Sequence, residues 1–336
     1  MTRRIDVLII GAGQAGLATR YYLRRSGLTV LQICAEEQPG GSWLHTWPSL
    51  RLFSPAGISS LPGLRLALPK DAYPAPLDIT RYFADYEQRY GFKVERPVRA
   101  LRTSGNGPFI TELSTGETVE SEFVVNATGN ACRPYVPFVP GQRIFTGRQL
   151  HSRYYRGPEQ FRGQRVAVIG GGNSGAQIAA DLLSVAEVTW CTLRPPRFLP
   201  DSYDGAALFQ VASAHVRGEE GPTVSELGDI VVVPPIKAAR DTGLLQATGM
   251  FERLTPSGAV WPDGSEKPLD VVVWCTGFKP ALKHLARYDI ELSGTALAAA
   301  PRMHFVGYGD WVGPAADTIL GVSPFAKAAA RAIIDA

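Results

Sequence analysis

The sequence predicts an α/β protein built from two Rossmann-like dinucleotide-binding domains, with parallel sheets and small antiparallel meanders. The first observation is a glycine-rich loop of GxGxxG form at residues 11–16, which recurs at 170–175. The second is the context of each loop, since a short apolar run precedes it and a helical pattern follows it. The third is a shared closing segment, because residues 116–129 and 264–277 both comprise a turn, a strand and a final Thr-Gly at identical spacing. The chain therefore contains an internal repeat of whole domains.

The first loop follows an apolar run at residues 7–10 and opens a helical pattern. One glycine of such a loop permits the tight turn, one lets the backbone approach a pyrophosphate, and one lets helix and strand pack closely. The pyrophosphate then lies at a helix N-terminus, where free N–H groups and the helix dipole favour negative charge. A single loop of this form also occurs as a plain turn in unrelated α/β proteins, but two in one chain favour nucleotide sites. The contacts predicted from the first loop are Gly11, Gly13, Gln14, Ala15 and Gly16.

A second strand is predicted at residues 29–33, and an acidic residue about twenty positions past the last glycine is expected to bind the adenosine ribose. Cys34 occupies the strand end itself, so Glu36 is the candidate, with Glu37 behind it. A second glycine-rich turn at residues 39–43 then brings an indole toward the cofactor, although a plain loop with a packing tryptophan is the alternative. The residues predicted to contact the cofactor from this turn are Gly41, Ser42 and Trp43.

Residues 44–80 are rich in Pro, Ser and Leu and show no clear period. Such a long irregular stretch is more often functional than accidental. A helix is predicted from residue 79 to residue 90, and short strands between residues 98 and 119 predict a small antiparallel meander. The first unit closes with a strand that ends in Thr128 and Gly129, which are predicted to contact the cofactor.

The second unit begins after a connector whose boundary is placed at residues 156–163. The residue near the adenosine ribose is Arg194 rather than an acid, and Arg197 lies nearby, so a 2′-phosphate can be paired and NADPH is expected to be preferred over NADH. The alternative is that Arg194 merely faces solvent. The contacts predicted in this unit are Gly170, Gly172, Asn173, Ser174, Gly175, Arg194, Thr276 and Gly277.

Residues 198–250 interrupt the second unit, and such an insertion is expected either to roof a substrate pocket or to be structural padding. The chain then returns to a strand that ends in Gly309 and Asp310, where an Asp can accept a ribityl hydroxyl of a flavin. A helix start is expected around residues 316–321, including Thr318, where it can face the flavin pyrimidine ring.

Two nucleotide units in series are most simply interpreted as a flavoprotein with a nicotinamide partner, in which one site holds FAD and the other delivers hydride to it. The expected arrangement is glutathione-reductase-like, with a discontinuous FAD-binding domain at residues 1–155 and 268–336. The NADPH-binding domain is expected at residues 160–267 with the insertion inside it. NADH is left open as a second hydride donor.

Composition narrows the class of protein. The 336 residues suffice for two domains or three, and a charged fraction of 19% with a net charge of +3 gives no basic stripe for nucleic acid. No apolar run approaches the length of a membrane span. The four cysteines form no CxxC pair and the five histidines are scattered, which argues against a dithiol redox centre and a metal site. A reduced, cytoplasmic setting is predicted.

A further motif lies at residues 145–155 and has the form FxGxxxHxxx(W/Y), with Phe145, Gly147, His151 and Tyr155 at the required positions. With this motif, the Gly-Gly-Ser-Trp turn and the two glycine loops, the chain resembles the flavin-dependent monooxygenases related to flavin-containing and Baeyer–Villiger monooxygenases. It is most similar to the small bacterial members, and the resemblance covers nearly the whole chain.

The resemblance implies an enzyme in which NADPH reduces FAD and O2 adds to the reduced flavin. The resulting flavin C4a-(hydro)peroxide oxygenates a small soft nucleophile, by thioether sulfoxidation or amine N-oxidation, or a ketone by Baeyer–Villiger oxidation. The oxidised nicotinamide stays bound and shields the intermediate from water. His151 lies in the hinge between the units, where the resemblance implies that it tunes their geometry rather than carrying out acid–base chemistry.

Three positions depart from the family pattern. Flavin-containing monooxygenases carry a Glu where this chain has Cys34. They also place an Asn soon after the glycine-rich turn to support the flavin intermediate, and the matching region around Phe53 has none. Baeyer–Villiger enzymes use a catalytic Arg, for which Arg51 is the candidate by its place in the sequence. The catalytic candidates are therefore His151, Phe53 and Arg51.

Two other hypotheses remain beside the monooxygenase. One is an NADPH-dependent flavin reductase that passes electrons to an acceptor and makes only peroxide with oxygen, which the missing Asn supports. The other is a non-catalytic redox-sensing or binding module that uses FAD structurally, which the intact second loop with Arg194 disfavours. The predicted partners are a small-molecule substrate and O2, with no nucleic acid and no membrane. A homodimer is left open.

Overall fold

The computed structural model describes residues 2–203 and 228–336, together with residues 207, 208, 210, 211 and 214, and it describes Asp310 without its side chain. The predicted α/β class with two Rossmann-like units is confirmed. The first unit comprises residues 1–44, 54–133 and 280–336, and the second comprises residues 45–53 and 134–279.

A helix lies between two strands after each glycine loop, and runs of consecutive strands make up much of the rest of the described chain. The strands are β1 Thr2–Ile10, β2 Val30–Ile33, β3 Val94–Glu95, β4 Ala100–Gly105, β5 Phe109–Leu113, β6 Thr118–Asn126, β7 Arg148–His151, β8 Arg165–Ile169, β9 Glu187–Thr192, β10 Ala247–Gly249, β11 Arg253–Leu254, β12 Gly258–Val260, β13 Glu266–Pro268, β14 Val271–Trp274, β15 Leu292–Ser293, β16 Ala296–Leu297 and β17 Ala300–Phe305. The helices are α1 Gln14–Leu23, α2 Pro76–Tyr90, α3 Asn173–Leu182, α4 Pro234–Asp241 and α5 Val322–Ile334.

The sheet of the first unit has the strand order β15-β16-β17-β6-β1-β2-β3. Strands β17, β6, β1, β2 and β3 run parallel, which places their carboxyl ends at one edge. The buried run of β1, which includes Val7, Leu8 and Ile9, has no exposed surface and forms the centre of this sheet. Strand β5 joins β4 and β6 in antiparallel pairing, which confirms the predicted meander.

The first and last helices of the first unit contact its sheet, α1 at β1 and β2 and α5 at β17. Helix α1 follows the glycine loop and packs against α5. Helix α2 begins at Pro76, three residues earlier than predicted, because the Asp78 carboxylate accepts the Ala75 N–H at 2.8 Å and so fixes the first turn. In the part of the chain that the structure describes, no helix is both long enough and apolar enough to cross a membrane.

The second unit contains a parallel sheet with the order β10-β9-β8-β14-β7 and a small antiparallel sheet of β11, β12 and β13. This pairing corrects the predicted domain boundaries, which assigned residues 134–155 and 268–279 to the first unit. Strand β14 lies between β8 and β7 and hydrogen-bonds to both, with Trp274 in register with His151. Both segments are therefore integral to the second sheet.

The predicted insertion at residues 198–250 is also corrected. Helix α4 buries Ile236 and Ala239 in the core of the second unit, and β10 extends its sheet beside β9. These elements complete the Rossmann-like unit and do not interrupt it. A bridge between Phe198 and Ile230 brings together the two ends of the remaining excursion. Most of residues 204–227 lies outside the described part of the chain, so the predicted pocket roof is not described there.

Candidate functional site

The glycines of the first loop fall into two physical classes. A Cβ atom at Gly11, whose φ is +119°, would lie 2.2 Å from the Ala127 carbonyl oxygen, and one at Gly16 would lie 2.0 Å from the Gly11 carbonyl oxygen. These two positions accept only glycine, because strand and helix pack there backbone to backbone. A Cβ at Gly13 would meet no atom within 4 Å. Gly13 therefore borders open space in which a ligand can approach the backbone.

The start of α1 offers unpaired N–H groups to that space. Gly13 is the N-cap and provides no side-chain cap, and no acidic residue lies in the first turn, where Ala15 is found. The first N–H groups of a helix have no partner within the helix and carry the positive end of its dipole. The donor set thus fits an anion such as a dinucleotide pyrophosphate.

Two further segments of the first unit close around the loop. A Cβ at Gly41 would lie 2.9 Å from the Gly13 Cα, and one at Gly307 would lie 2.6 Å from the Ala15 Cβ. The Gln14 amide donates to the Asp317 carbonyl at 2.8 Å and accepts the Trp43 indole N–H at 3.3 Å. The structure therefore brings the loop, the glycine-rich turn and residues 307–317 together. Ser42 follows Gly41 in the short 3-10 turn Gly41–His45.

The Thr-Gly closure of the first unit is fixed by a buried tyrosine. The Thr128 hydroxyl lies 2.7 Å from the Tyr308 hydroxyl and donates to the Ala281 carbonyl at 2.9 Å. Gly129 has φ +62°, and its carbonyl accepts the Ala281 N–H at 2.9 Å. Burial raises the pKa of Tyr308, so its hydroxyl stays protonated as a hydrogen-bonding group.

The helix start expected around residues 316–321 lies at the end of that range, because residues 316–321 form turns and α5 begins at Val322 with Gly321 as its N-cap. Ala315 has φ +55°, which no helix accommodates. The Thr318 hydroxyl donates to the Ala315 carbonyl at 2.8 Å and accepts the Gly321 N–H at 2.9 Å. Gly309 has φ +59° and opens a 3-10 turn, and the side chain of the predicted ribityl contact Asp310 lies outside the described atoms.

The end of β2 explains the position of the acidic candidates. Cys34 is buried, its N–H donates to the Glu95 carbonyl at 2.9 Å, and its carbonyl accepts the Val98 N–H at 2.8 Å. Its side chain therefore faces the interior. Beyond it, Glu36 is half-buried and Glu37 is exposed.

The second glycine loop repeats the geometry of the first. A Cβ at Gly170, with φ +137°, would lie 2.3 Å from the Cys275 carbonyl oxygen, and one at Gly175 would lie 2.0 Å from the Gly170 carbonyl oxygen. A Cβ at Gly172 would meet nothing within 4 Å, and Gly172 caps α3 without a side-chain acceptor. The same fit to an anionic dinucleotide follows.

Two polar residues of the second loop, Asn173 and Ser174, are among the predicted cofactor contacts. The side-chain Oδ1 of Asn173 accepts the Val231 N–H at 2.8 Å, so this side chain holds the chain that leads into α4. Ser174 lies half-buried in the first turn of α3. The loop therefore presents mainly backbone groups to a ligand.

Sequence reasoning missed one support that both loops share. The Gln32 amide donates to the Gly11 carbonyl at 3.0 Å, and the Trp190 indole donates to the Gly170 carbonyl at 2.8 Å. Both side chains lie on the strand that follows the loop's helix, β2 and β9. Their similar spacing from each loop was the available signal, but an amide and an indole do not look alike in sequence.

His151 uses both ring nitrogens in backbone contacts at the end of β7. Its Nε2 lies 2.9 Å from the Gly277 carbonyl, and its Nδ1 accepts the Arg153 N–H at 3.1 Å. Gly277 also accepts the Tyr135 N–H at 3.0 Å, and the Thr276 hydroxyl donates to the Tyr135 carbonyl. Burial lowers the pKa of His151, which favours the neutral ring. The arrangement suits a positioning group rather than a proton carrier.

The last aromatic residue of the 145–155 motif is hydrogen-bonded to α3, the helix that follows the second glycine loop. Tyr155 is fully buried, and its hydroxyl donates to the Asp181 carboxylate of α3 at 2.7 Å. The same carboxylate oxygen accepts the Ser49 hydroxyl at 2.9 Å. Segment 45–53 is thereby anchored in the second unit, where Trp47 packs edge-on against the Tyr155 ring.

The two catalytic candidates on segment 45–53 have different surroundings. The Arg51 guanidinium donates to the carbonyls of Pro48 and Leu50, at 3.0 and 2.7 Å. Phe53 is partly buried against the core of the second unit. Arg51 thus braces its own loop through backbone contacts, and Phe53 contributes packing.

The arginines that follow β9 are not equivalent. Arg194 is exposed and makes no ion pair with a residue that the structure describes. Arg197 forms a two-pronged pair with the Asp229 carboxylate, at 2.7 and 2.9 Å. Of the two cations, Arg194 is the one accessible to an added phosphate. Within the described residues no group of His, Cys, Asp and Glu is placed to hold a metal ion.

Comparison with known proteins agrees with this geometry. A family model described as pyridine nucleotide-disulphide oxidoreductase matches residues 8–202. The chain is similar to a flavin-containing monooxygenase from Stenotrophomonas maltophilia, with 42% identity, a TM-score of 0.91 and 99% of each chain covered. It is also similar to an uncharacterized CzcO-like oxidoreductase of Geobacillus kaustophilus, 29% identical over 284 residues, which are 83% of this chain and 82% of that protein. The indole-3-pyruvate monooxygenase YUCCA8 of Oryza sativa is 27% identical over 335 residues, with 85% of this chain and 78% of that protein covered.

Proposed function

Because the chain belongs to the flavin-containing monooxygenases, within the pyridine nucleotide-disulphide oxidoreductase family, we propose that it uses FAD, NADPH and O2 to oxygenate small thioethers, amines or ketones. One observation on this chain supports the proposal. It has two glycine loops whose outer glycines are required by packing, while the middle glycines, Gly13 and Gly172, border open space. A single chain can thus hold two dinucleotides.

The first unit holds FAD in this proposal. The N–H groups that follow Gly13 bind the pyrophosphate, and Glu36 accepts a hydroxyl of the adenosine ribose. Gln14 and Trp43 keep the glycine-rich turn and residue 317 against the loop, at hydrogen-bond distances of 2.8 and 3.3 Å. When bound, the flavin supplies the redox chemistry, since it accepts hydride from the nicotinamide and activates O2.

The second unit holds NADPH in this proposal, and Arg194 is the residue that selects NADPH over NADH. A guanidinium pairs well with phosphate oxygens, whereas the 2′-hydroxyl of NADH offers it little. Arg194 is exposed at the end of β9, two residues beyond Thr192, whose side chain is 3.5 Å from the Cβ position of Gly171. An Arg194→Ala variant should therefore lose affinity for NADPH and keep its affinity for NADH.

His151 positions the second Thr-Gly closure in this proposal. Its neutral ring holds the Gly277 carbonyl, and the edge of Phe278 packs against it with ring centres 4.8 Å apart. A His151→Gln variant should keep part of the contact to Gly277, and a His151→Ala variant should lose it. A proton-transfer role would instead make the two variants equally defective and alter the pH profile of turnover.

The decisive test is incorporation of labelled oxygen from O2 into a thioether probe such as methyl phenyl sulfide, with NADPH as reductant. Label in the sulfoxide, in proportion to NADPH consumed, is the expected result. The same protein mixed anaerobically with NADPH should bleach its flavin, which separates the reductive step from oxygenation.

One difference from the family sequence pattern favours a second candidate function, an NADPH-dependent flavin reductase, which the same experiment tests. The region of Phe53 has no Asn, the residue that supports oxygenation in the flavin-containing monooxygenases it resembles. If NADPH bleaches the flavin and air returns it to the oxidised spectrum with stoichiometric peroxide and no labelled sulfoxide, the protein is an NADPH-dependent flavin reductase. If NADPH leaves the flavin oxidised, both candidate functions are excluded.

A further inference from the structure

The guanidinium of Arg197 is paired with the carboxylate of Asp229, which lies where the chain returns toward α4 after leaving β9. Its Nη2 lies 2.7 Å from Oδ1 of Asp229, and its Nε lies 2.9 Å from Oδ2. This parallel arrangement is the one that guanidinium groups also adopt with phosphate. Asp229 therefore fills the position that a phosphate would take on Arg197.

The backbone holds this pair in place. The N–H groups of Asp229 and Ile230 both donate to the Arg197 carbonyl, at 2.8 and 3.1 Å, and the Leu199 N–H donates to the Ile230 carbonyl at 2.9 Å. Gly228 has φ +146°, and a Cβ there would lie 2.9 Å from the Arg197 carbonyl oxygen. The pairing of the two side chains is thus a consequence of how the chain crosses itself here.

Arg197 follows the end of β9, the strand that comes after the helix of the second glycine loop. In folds of this type the residues that follow that strand contact the 2′-position of the adenosine ribose. An acid at this position accepts the 2′-hydroxyl of NADH, and an arginine pairs with the 2′-phosphate of NADPH. Both groups are present here, and the hydrogen bonds from Arg197, together with the charges of Arg197 and Arg194, lower the pKa of Asp229, so its carboxylate stays ionised.

We propose that Asp229 limits the preference of this protein for NADPH over NADH, because its carboxylate occupies the Arg197 guanidinium and repels a 2′-phosphate. The inference rests on the proposed use of a nicotinamide dinucleotide by the second unit. Arg194 attracts the 2′-phosphate, and Asp229 determines how strongly the Arg197 guanidinium can also attract it. The balance of the two determines the ratio of the affinities.

The test is calorimetric titration of the FAD-loaded protein with NADP+ and with NAD+. Asp229→Asn keeps the shape of the side chain and removes its charge. The affinity ratio of NADP+ to NAD+ should rise about fivefold in low salt, since exposed charge interactions of this kind are individually worth up to about 1 kcal/mol. The gain should shrink in 0.5 M NaCl because both side chains are half-exposed.

Asp241→Asn is the matched control. Asp241 is also a half-exposed carboxylate of the second unit, but it pairs with Lys237 and Arg240 on α4. Its substitution changes the net charge by the same amount and should leave the affinity ratio within twofold of the parent. If the two variants raise the ratio equally, net charge and not the Arg197 pair is responsible, which overturns the proposal.

Arg197 provides a second, independent arm. Arg197→Gln alone should lower the affinity ratio of NADP+ to NAD+ by up to about fivefold in low salt, because the Asp229 carboxylate then repels the 2′-phosphate without its paired cation. Arg197→Gln combined with Asp229→Asn should cancel most of the gain of Asp229→Asn. An unchanged or raised affinity ratio in the single Arg197 variant, or an undiminished gain in the double variant, would overturn the proposal.

The outcomes also separate this inference from the proposed function. If NADPH and NADH both bleach the flavin of the parent protein but Asp229→Asn leaves the affinity ratio unchanged, only the role of Asp229 is refuted. If neither nucleotide binds or bleaches the flavin, the nicotinamide site itself is refuted and the inference falls with it.

Discussion

The middle glycine of each loop gives the sharpest test of where the dinucleotides bind. Gly172 has φ −102° and ψ −171°, a conformation open to any residue, and a Cβ there would meet no atom within 4 Å. Gly172→Ala should therefore fold. Its cost is that of a poorer N-cap, about 0.5–1 kcal/mol, which corresponds to a fall of about 1–4 °C in melting temperature for a unit of this size.

The effect on nucleotide binding should be much larger. The added methyl group projects into the space that the pyrophosphate is proposed to occupy and keeps it from the N–H groups at the start of α3. A hydrogen bond to a charged group contributes about 1.5–3 kcal/mol, so the loss of one raises the dissociation constant of NADP+ about tenfold to a hundredfold. Calorimetric titration with NADP+, alongside thermal denaturation, measures both quantities on the same sample.

Two neighbouring glycines serve as controls. Gly171→Ala would place its Cβ 3.5 Å from Thr192, an ordinary contact, and the first loop already has Ala12 at the corresponding position. This variant should fold and bind NADP+ within about threefold of the parent. Gly175→Ala would place its Cβ 2.0 Å from the Gly170 carbonyl oxygen and should not fold correctly. If Gly172→Ala binds NADP+ as the parent does, the pyrophosphate does not lie on this loop and the reasoning is refuted.

Two further predictions concern buried polar groups. Tyr155→Phe keeps the buried ring but removes the hydroxyl that donates to Asp181, so the melting temperature should fall by about 5 °C, for a loss of about 1.5–2 kcal/mol. Tyr154→Phe, at an exposed neighbour, should change it by less than about 1 °C, and equal effects would contradict the assigned role of the hydroxyl. Burial lowers the pKa of His284 and of His304 to about 4, so their neutral forms stabilise the fold fully above pH 6.5 and this contribution is lost as the pH falls toward 4. The urea midpoint of unfolding, monitored through release of the flavin, should therefore be lower at pH 4.5 than at pH 7.5. The decrease corresponds to a loss of up to about 2–3 kcal/mol of unfolding free energy per histidine, and a midpoint that does not change with pH would refute this.

The glycine loops could be predicted from the sequence because their requirements are local. Gly11 and Gly170 must adopt positive φ next to a carbonyl oxygen, and the strand before and the helix after each loop carry their own periodic patterns. The meander before β6 was predicted for the same reason, since turns and strands follow one another along the chain. Each of these features is specified within a short stretch of sequence.

The domain boundaries and the side-chain partners could not be predicted, because they depend on pairings between distant residues. Strand β7 joins the second sheet only through β14, which lies more than a hundred residues further along the chain. Asn173 binds the backbone of Val231, and Arg197 binds Asp229, across the excursion after β9. Neither partner is marked by a motif. The polar residues of the loop were therefore assigned to the cofactor although one of them serves the fold.

The repeat also indicates where cofactor identity is decided. Both units fix the first glycine of the loop through its carbonyl, with Gln32 in one and Trp190 in the other, and both leave the middle glycine open. Since the two loops are equivalent where the pyrophosphates are proposed to bind, this part of the site would not distinguish the two proposed cofactors. The difference begins after the second strand, where the first unit presents Glu36 and the second presents Arg194 with the paired Arg197. Exchanging the supports Gln32 and Trp190 should therefore change affinity without changing specificity, whereas substitutions after β9 should change specificity.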